Sequence, residues 1–343
     1  MADLTIMGAG IFGLSLAYVC ARRGARVRVI EKRHLRAGSS GGLVGALAPH
    51  VPENWNAKKA FQFEALRMAE GFWRAVAEIS SHDPGYARLG RVQPVAKAGL
   101  ELARARADGA RALWQGFASW EVMRSDDAPG LPLTSPSGWV IHDTLSARLH
   151  PRRAGLALAR AIERLGGEIV FGEERQAGAV VWATGYEGLE HLSRVLGHSI
   201  GGGVKGQSLL LRHTCPHAPQ IFVDGLHIVP HGDGTIAIGS TSEREFTDPE
   251  STDSQCDALL ERAIAACPTL RDAPVIEQWA GVRPRAKSRA PLMGAWPARA
   301  GHFVFNGGFK IGFAMAPALA ERMADLVLNG TAEIPEGFGF DQL

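Results

Sequence analysis

Cysteine is scarce. Cys20, Cys215, Cys256 and Cys267 are the only four in 343 residues, and none forms a CxxC pair. That excludes a disulfide-built scaffold and predicts reduced thiols in a cytoplasmic protein. The 12 histidines include no HExxH motif, so no metal site is expected. No apolar run is long enough to span a bilayer. "MADLTIMGAG" enters a motif at once, with no leader-like stretch before it. Neither sign of charge dominates, since 37 Lys and Arg face 35 Asp and Glu. A net charge of +2 argues against nucleic acid as a partner, a local patch aside. What remains is 46% hydrophobic and 21% charged, a soluble chain able to bury one large core or two ordinary ones.

The order of patterns suggests how those cores are built. "LTIMGAG" reads as a strand ending in glycines, "IFGLSLAYVCARRG" as a helix stopped by Gly24, and "ARVRVIEK" as a second strand. That is a βαβ start. A Gly/Ser-rich loop, "LRAGSSGGLVGALAPHVP", precedes an amphipathic helix in "AKKAFQFEALRMAEGFWRAVAEIS". "ELARARADGARALWQGFASW" predicts a helix weakened by Gly109. "HPRRAGLALARAIERLGGEIVF" predicts helix, Gly-Gly stop and strand, and "AGAVVWATG" a buried strand. The middle is different. "PQIFVDGLHIVPHGDGTIAIGS" predicts two hairpins, at Asp224-Gly225 and Asp233-Gly234, in an antiparallel sheet. "DSQCDALLERAIAACP" is a helix and "PVIEQWAGVRP" a strand. The chain then closes with strand, glycine turn and helix. The fold expected is α/β: a Rossmann-like nucleotide domain from residues 1–50, 135–200 and 285–343, and an antiparallel β-sheet substrate domain with helices from 51–134 and 201–284.

"GAGIFG" sets Gly8, Gly10 and Gly13 as GxGxxG between strand and helix. The first glycine permits the tight turn, the second admits a pyrophosphate, and the third lets helix and strand pack. The helix N-terminus offers free N–H groups to phosphate. Glu31 ends the next strand, where a carboxylate accepts from ribose hydroxyls and disfavours a 2′-phosphate. NAD and FAD share this opening, so the motif alone leaves both.

A resemblance separates them. "GAGIFGLSLAYVCARRGARVRVIEK" looks like the N-terminal fingerprint of the FAD-dependent D-amino acid oxidase superfamily, which includes glycine oxidase and sarcosine oxidase. "SSGGLVGALAP" is similar to the family's loop under the flavin, and "VVWATG" to its strand-turn. "GVKGQSLLL" and "HIVPHGDGTIAIGSTSE" resemble substrate-domain strands, "WAGVRPRAKSRAPLMG" the GxRPxxxDxxPxxG segment, and "NGGFKIGFAMAP" the C-terminal turn and helix. The matches occur in order over nearly the whole chain. They depart from the family at Ser288, near a usual Asp, and at Gly308, near a common His. The 167–179 segment is short.

The resemblance implies FAD, bound noncovalently because the loop lacks the His-containing pattern of flavin-linked relatives and no cysteine matches a linking position. The cofactor residues it implies begin with Gly8, Ala9, Gly10, Ile11, Phe12 and Gly13, then Glu31 and Lys32. Ser39, Ser40, Gly45, Ala46 and Leu47 follow in the loop, with Val170 or its neighbour Ile169 at adenine and Ala183, Thr184 and Gly185 at the second turn. Gly281, Arg283, Gly307, Gly308, Phe309, Lys310, Ile311 and Gly312 complete the set.

The chemistry implied is oxidation of the C–N bond of a small amine or amino acid, with O2 or another electron acceptor. Arg283 would fork a substrate carboxylate. Lys310 would assist at substrate or flavin, or stand solvated in its turn. His50 and His227 are further catalytic candidates, with His231 and Trp279 beside them, and each is equally readable as structural. Arg285, Lys287 and Arg289 read as a solvated edge, with Pro284 expected to interrupt any regular basic stripe. Two other readings stand beside this one: an oxidase of carboxymethylaminomethyl groups on tRNA wobble uridine, and a noncatalytic flavoprotein subunit of a heteromeric oxidase.

Overall fold

Leu4–Met7, the helix Ile11–Arg22 and Val27–Glu31 form the opening unit, with the two strands parallel and Leu4 opposite Val27. The computed structural model describes residues 2–297 and 299–342. Ala179–Trp182 pairs in parallel on the other side of the first strand, and His302–Asn306 continues outward. Glu168–Phe171 lies beyond Val27–Glu31, and Leu292–Ala295 closes the far edge antiparallel. The six strands come from separated stretches of chain, and the glycine turn stands at the C-terminal end of a central strand. Ligands bind at that end of open parallel sheets.

Ile11–Arg22 is buried from Ile11 to Ala21 because it packs between the helices Pro151–Arg164 and Gly312–Asn329. The helix Ala57–Ser80 joins the same core. Its Phe63, Leu66, Phe72 and Trp73 lie with Leu14, Tyr18 and Met315. Each such side chain contributes about 1.5–3 kcal/mol on burial. By this packing the helix sides with the parallel layer, although it falls in the 51–134 stretch expected to serve the substrate sheet.

The second sheet has eight strands in the order Val275–Ala286, Gly201–Arg212, Thr235–Gly239, Leu226–Pro230, Gln220–Val223, Arg91–Pro94, Trp139–Asp143 and Trp120–Arg124. Only the Gln220–Val223 and Arg91–Pro94 pair is parallel. Both expected hairpins are present. Asp224 and Gly225 take φ of 47° and 81°, the left-handed pair that a two-residue hairpin turn needs. The helix Gln255–Ala266 covers one face through Cys256, Leu259 and Ala263.

Two expectations differ from the structure. Trp139–Asp143 lies beyond the 135 boundary, yet it is laddered between two strands of the eight-stranded sheet. The short apolar run at the start of "WVIHD" fits that place as well as a parallel layer. Pro284 does not break its strand, which runs to Ala286. That strand lies at the sheet edge, and the Pro284 carbonyl points outward to accept the Phe309 N–H at 3.0 Å. Proline's missing N–H faces the same outward side, where no ladder bond is lost.

Arg91 and Asp143 face each other in the ladder and form a buried ion pair at 2.9 Å. The Arg91 guanidinium also lies 5.6 Å from the centroid of the Phe222 ring. Removing the acid strands a buried charge. Asp143→Ala is expected to lower unfolding free energy by about 3–5 kcal/mol, read from the urea midpoint. A loss below about 1 kcal/mol would show that the pair is not structural.

Candidate active site

One cavity of about 1010 Å³ runs from the glycine turn to the eight-stranded sheet. At its nucleotide end Gly8 has φ of 108°, and a Cβ there would stand 2.5 Å from the Ala183 carbonyl. A Cβ on Gly13 would stand 1.9 Å from the Gly8 carbonyl, so helix and strand touch through bare backbone. The Glu31 carboxylate accepts from Ala9 N–H at 2.9 Å and Arg33 N–H at 3.1 Å. These bonds fix it at the end of its strand. The first helix has Gly10 as its N-cap, with no side chain capping it from that position. Ser40 reaches across from the glycine loop and accepts from Ile11 N–H at 2.9 Å. Bare glycine walls, an oriented carboxylate and a helix N-terminus together fit the pyrophosphate and ribose of a dinucleotide.

The cavity wall takes in Gly8, Gly10, Ile11, Phe12, Glu31, Lys32, Ser39, Ser40, Gly45 and Ala46. Ala183, Thr184 and Gly185 line it too, as do Gly308, Phe309, Lys310, Gly312, Arg283 and His227. Other expected residues support the wall from behind. Ala9 orients Glu31. The Leu47 carbonyl accepts from the buried Gln220 amide. Gly281 lies under Trp279, and Gly307 donates its N–H to Asn306. Ile311 caps the last helix.

Two expected residues lie off the wall. Val170 is laddered to Ile30, and Gly172, Glu173, Glu174 and Gln176 line the cavity in its place. His50 is drawn away by Gln62, whose side-chain oxygen accepts the His50 N–H at 2.8 Å and also meets the ring Nδ1. Gln62 is buried on the helix Ala57–Ser80, so packing of that helix fixes where His50 goes.

At the substrate end, Arg283 lies over Gly206, its second neighbour in the adjacent strand's register. A Cβ on Gly206 would stand 2.0 Å from the guanidinium. Arg283 donates to Ser240 Oγ and, at 3.3 Å, to the Thr241 carbonyl. Burial lowers its pKa to about 10, opposed by the Glu243 carboxylate. Among the described residues no carboxylate lies within the 4.0 Å of an ion pair. Lys310 faces the same space, its pKa lowered by partial burial and by Arg283. Burial, with Arg91 and Lys310, lowers His227 to about 3, a neutral imidazole near neutral pH. Trp279 and Phe222 line this end. The Trp279 ring is held against Gly42 and Gly281, where added Cβ atoms would stand 3.1 and 2.4 Å away.

The basic stretch divides here. Arg285 lies 5.7 Å from the Phe309 ring centroid, while Lys287 and Arg289 are exposed. Sequence reasoning missed Gly206, Ser240, Thr241 and Phe222. One signal was available, since the glycines of "VKGQS" and "WAGVR" face each other in the ladder. His231 turns away from the cavity, and its Nε2 meets the Leu43 carbonyl at 2.9 Å. Its ring lies 4.7 Å from that of His150, and burial lowers it to about 4.

Two outcomes follow from this geometry. Gly206→Ala is expected to displace the guanidinium and weaken carboxylate ligands about tenfold or more while FAD is retained. Titration of a carboxylate into the loaded variant checks it, and unchanged affinity would contradict the packing. His227 and His231 take up protons on unfolding at their ordinary value near 6.5, but resist them when folded. Stability is therefore full above about pH 6.5 and falls as pH drops toward 4. Tm scans from pH 7 to 4.5 check this, with His231→Gln expected to flatten the slope.

A family model described as FAD dependent oxidoreductase (DAO) matches residues 3–326. The chain is 27% identical over 348 residues to the bifunctional protein ThiO/ThiG of Trichormus variabilis, covering 95% of this chain and 53% of that protein. It is 24% identical to the glycine oxidase of Bacillus licheniformis, covering 95% of this chain and 93% of that one. The chain thus spans about half the length of the ThiO/ThiG proteins it matches. The iminodiacetate oxidase structure from Chelativorans sp. BNC1 superposes with a TM-score of 0.84 at 21% identity, covering 98% of each chain. The glycine oxidase structure from Bacillus cereus gives 0.82 at 22% identity over 96% of each. These two likenesses carry the fold. With its glycine turn, its oriented Glu31 and a family match over nearly its whole length, the chain belongs to the DAO family of FAD dependent oxidoreductases.

Proposed function

We propose that this protein oxidises the C–N bond of a small amino acid or other carboxylated amine, with FAD held noncovalently. The observation that carries the reading is the Arg283 fork, which opens into the same cavity as the glycine turn. FAD, when bound, accepts a hydride from the carbon beside the amine nitrogen, and water then hydrolyses the resulting imine. Everything else falls to the chain. Glu31 would hold the ribose and the first helix the pyrophosphate. In this reading the six-stranded layer carries the cofactor and the eight-stranded sheet the substrate.

Arg283 supplies orientation. Two of its donors are spent on Ser240 and Thr241, which leaves the rest of the fork for a carboxylate. In a buried site each such bond is stronger than in water. Lys310 adds a second cation on the same side, suited to the same carboxylate or to the cofactor ring. His227 stays neutral and so leaves the charge of the site to Arg283 and Lys310. Trp279 and Phe222 give apolar walls that exclude water. With such a division of labour the reaction needs no protein nucleophile. O2 or another acceptor would complete the cycle. Four free cysteines suit a cytoplasmic location.

Arg283→Ala tests the assignment. It is expected to keep FAD and to lower kcat/KM for amino acids by about 30-fold or more, while matched amines without the carboxylate change less than about threefold. Equal losses on both would remove Arg283 from the carboxylate.

A further inference from the structure

Arg283 is held by a short segment, Ser240-Thr241, and that segment is itself held. The Thr241 hydroxyl donates to the Glu243 carboxylate and accepts the Gln207 N–H at 2.8 Å. The Gln207 side-chain amide donates to both Glu243 oxygens, at 3.3 and 3.4 Å. Gln207 is wholly buried, and its own oxygen accepts the Asp253 N–H at 2.9 Å. The backbones of Lys205 and Glu243 bond each other twice at 2.9 Å. Glu243 therefore has a fixed place, one strand removed from the guanidinium.

We propose that Glu243 is a positioning residue for Arg283, acting through Thr241. The proposal rests on the reading of Arg283 as the carboxylate ligand. Glu243 makes no ion pair with Arg283 within 4.0 Å among the described residues. Its carboxylate fixes the Thr241 side chain, and with it the turn whose carbonyl and neighbouring Ser240 hydroxyl receive the guanidinium. The bare backbone of Gly206 offers no side chain to do this from the other face. Without the acceptor at Glu243, the segment keeps its backbone bond from Thr241 N–H to the Gln207 carbonyl at 3.2 Å, but the Thr241 hydroxyl loses its acceptor and the fork loses part of its aim. A loosened fork holds the carboxylate less tightly in ground state and transition state alike, a uniform loss of binding that raises KM and leaves kcat.

A charge effect and an aiming effect have opposite signs. As a nearby negative charge, Glu243 weakens the pull of Arg283 on an anion, so removing it by charge alone would tighten binding. As a hydrogen-bond acceptor it sharpens the geometry, so removing it would loosen binding.

The experiment uses the FAD-loaded full chain and measures acetate affinity by calorimetry, beside KM and kcat for an amino acid and a matched amine. Glu243→Ala and Thr241→Val are each expected to weaken acetate and raise the amino-acid KM about five- to tenfold, with kcat changed less than twofold and the amine unaffected. Glu243→Gln, which keeps an acceptor for Thr241, is expected to restore both values to within about twofold. Tighter acetate binding in Glu243→Ala, unchanged binding, or equal loss on the amine would overturn the proposal. If Arg283→Ala also leaves acetate affinity unchanged, the assignment of Arg283 fails. If it weakens acetate while Glu243→Ala and Thr241→Val do not, only the relay fails.

Discussion

The Arg283 guanidinium is packed against bare backbone at Gly206, where burial disfavours its charge, and among the described residues it has no ion-pair partner within 4.0 Å. A cation held partly out of water in this way is costly unless oxygens or a ligand satisfy it. Much of the substrate half follows from that constraint. Ser240 and Thr241 supply two oxygens. The strand edge supplies the outward carbonyl of Pro284, which ties the Phe309 turn, and with it Lys310, to the same strand. The Phe222 and His227 wall stands over the buried Arg91–Asp143 pair. In the proposed reading the anion that would complete the set is a substrate carboxylate, and the chain's contribution would be orientation rather than nucleophilic attack.

The nucleotide half obeys a different constraint, close approach. Gly8, Gly13 and Gly45 each stand where a Cβ would meet a carbonyl oxygen at 2.5 Å or less. The glycine loop is also clasped from the substrate side. Arg152 donates to the Gly41 carbonyl at 2.8 Å and pairs with Glu277 on the Arg283 strand, and Trp279 is packed on Gly42. Cofactor loop and substrate strand therefore form one packed unit. A displacement of either is felt at the cavity from both sides.

The nucleotide turn was legible because its chemistry is local. Three glycines at fixed spacing and an acid at the end of the next strand meet through one βαβ unit. The hairpin turns were legible for the same reason. Arg283 and Lys310 were named from the sequence through resemblance, and both face the cavity. What stayed hidden depends on long-range packing. His50 follows Gln62, whose helix is legible in the sequence but whose bond to His50 is not. Gly206, Ser240 and Thr241 converge on Arg283 from strands far apart in sequence. Pro284 was expected to interrupt the basic stripe by removing a ladder donor, and the sheet order, which puts its missing N–H at an edge, is not legible in the sequence. Trp139–Asp143 carries a short apolar run that suits either layer, and its ladder partners assign it.

The most direct test of the account is anaerobic titration of the FAD-loaded protein with a panel of small amino acids and their decarboxylated amines, followed by air. The account expects the flavin absorbance to bleach with at least one amino acid at concentrations where its amine counterpart does nothing, and an imine-derived carbonyl product to form in equal amount. Failure of every amino acid to bleach the flavin, or bleaching by amines irrespective of a carboxylate, would contradict it.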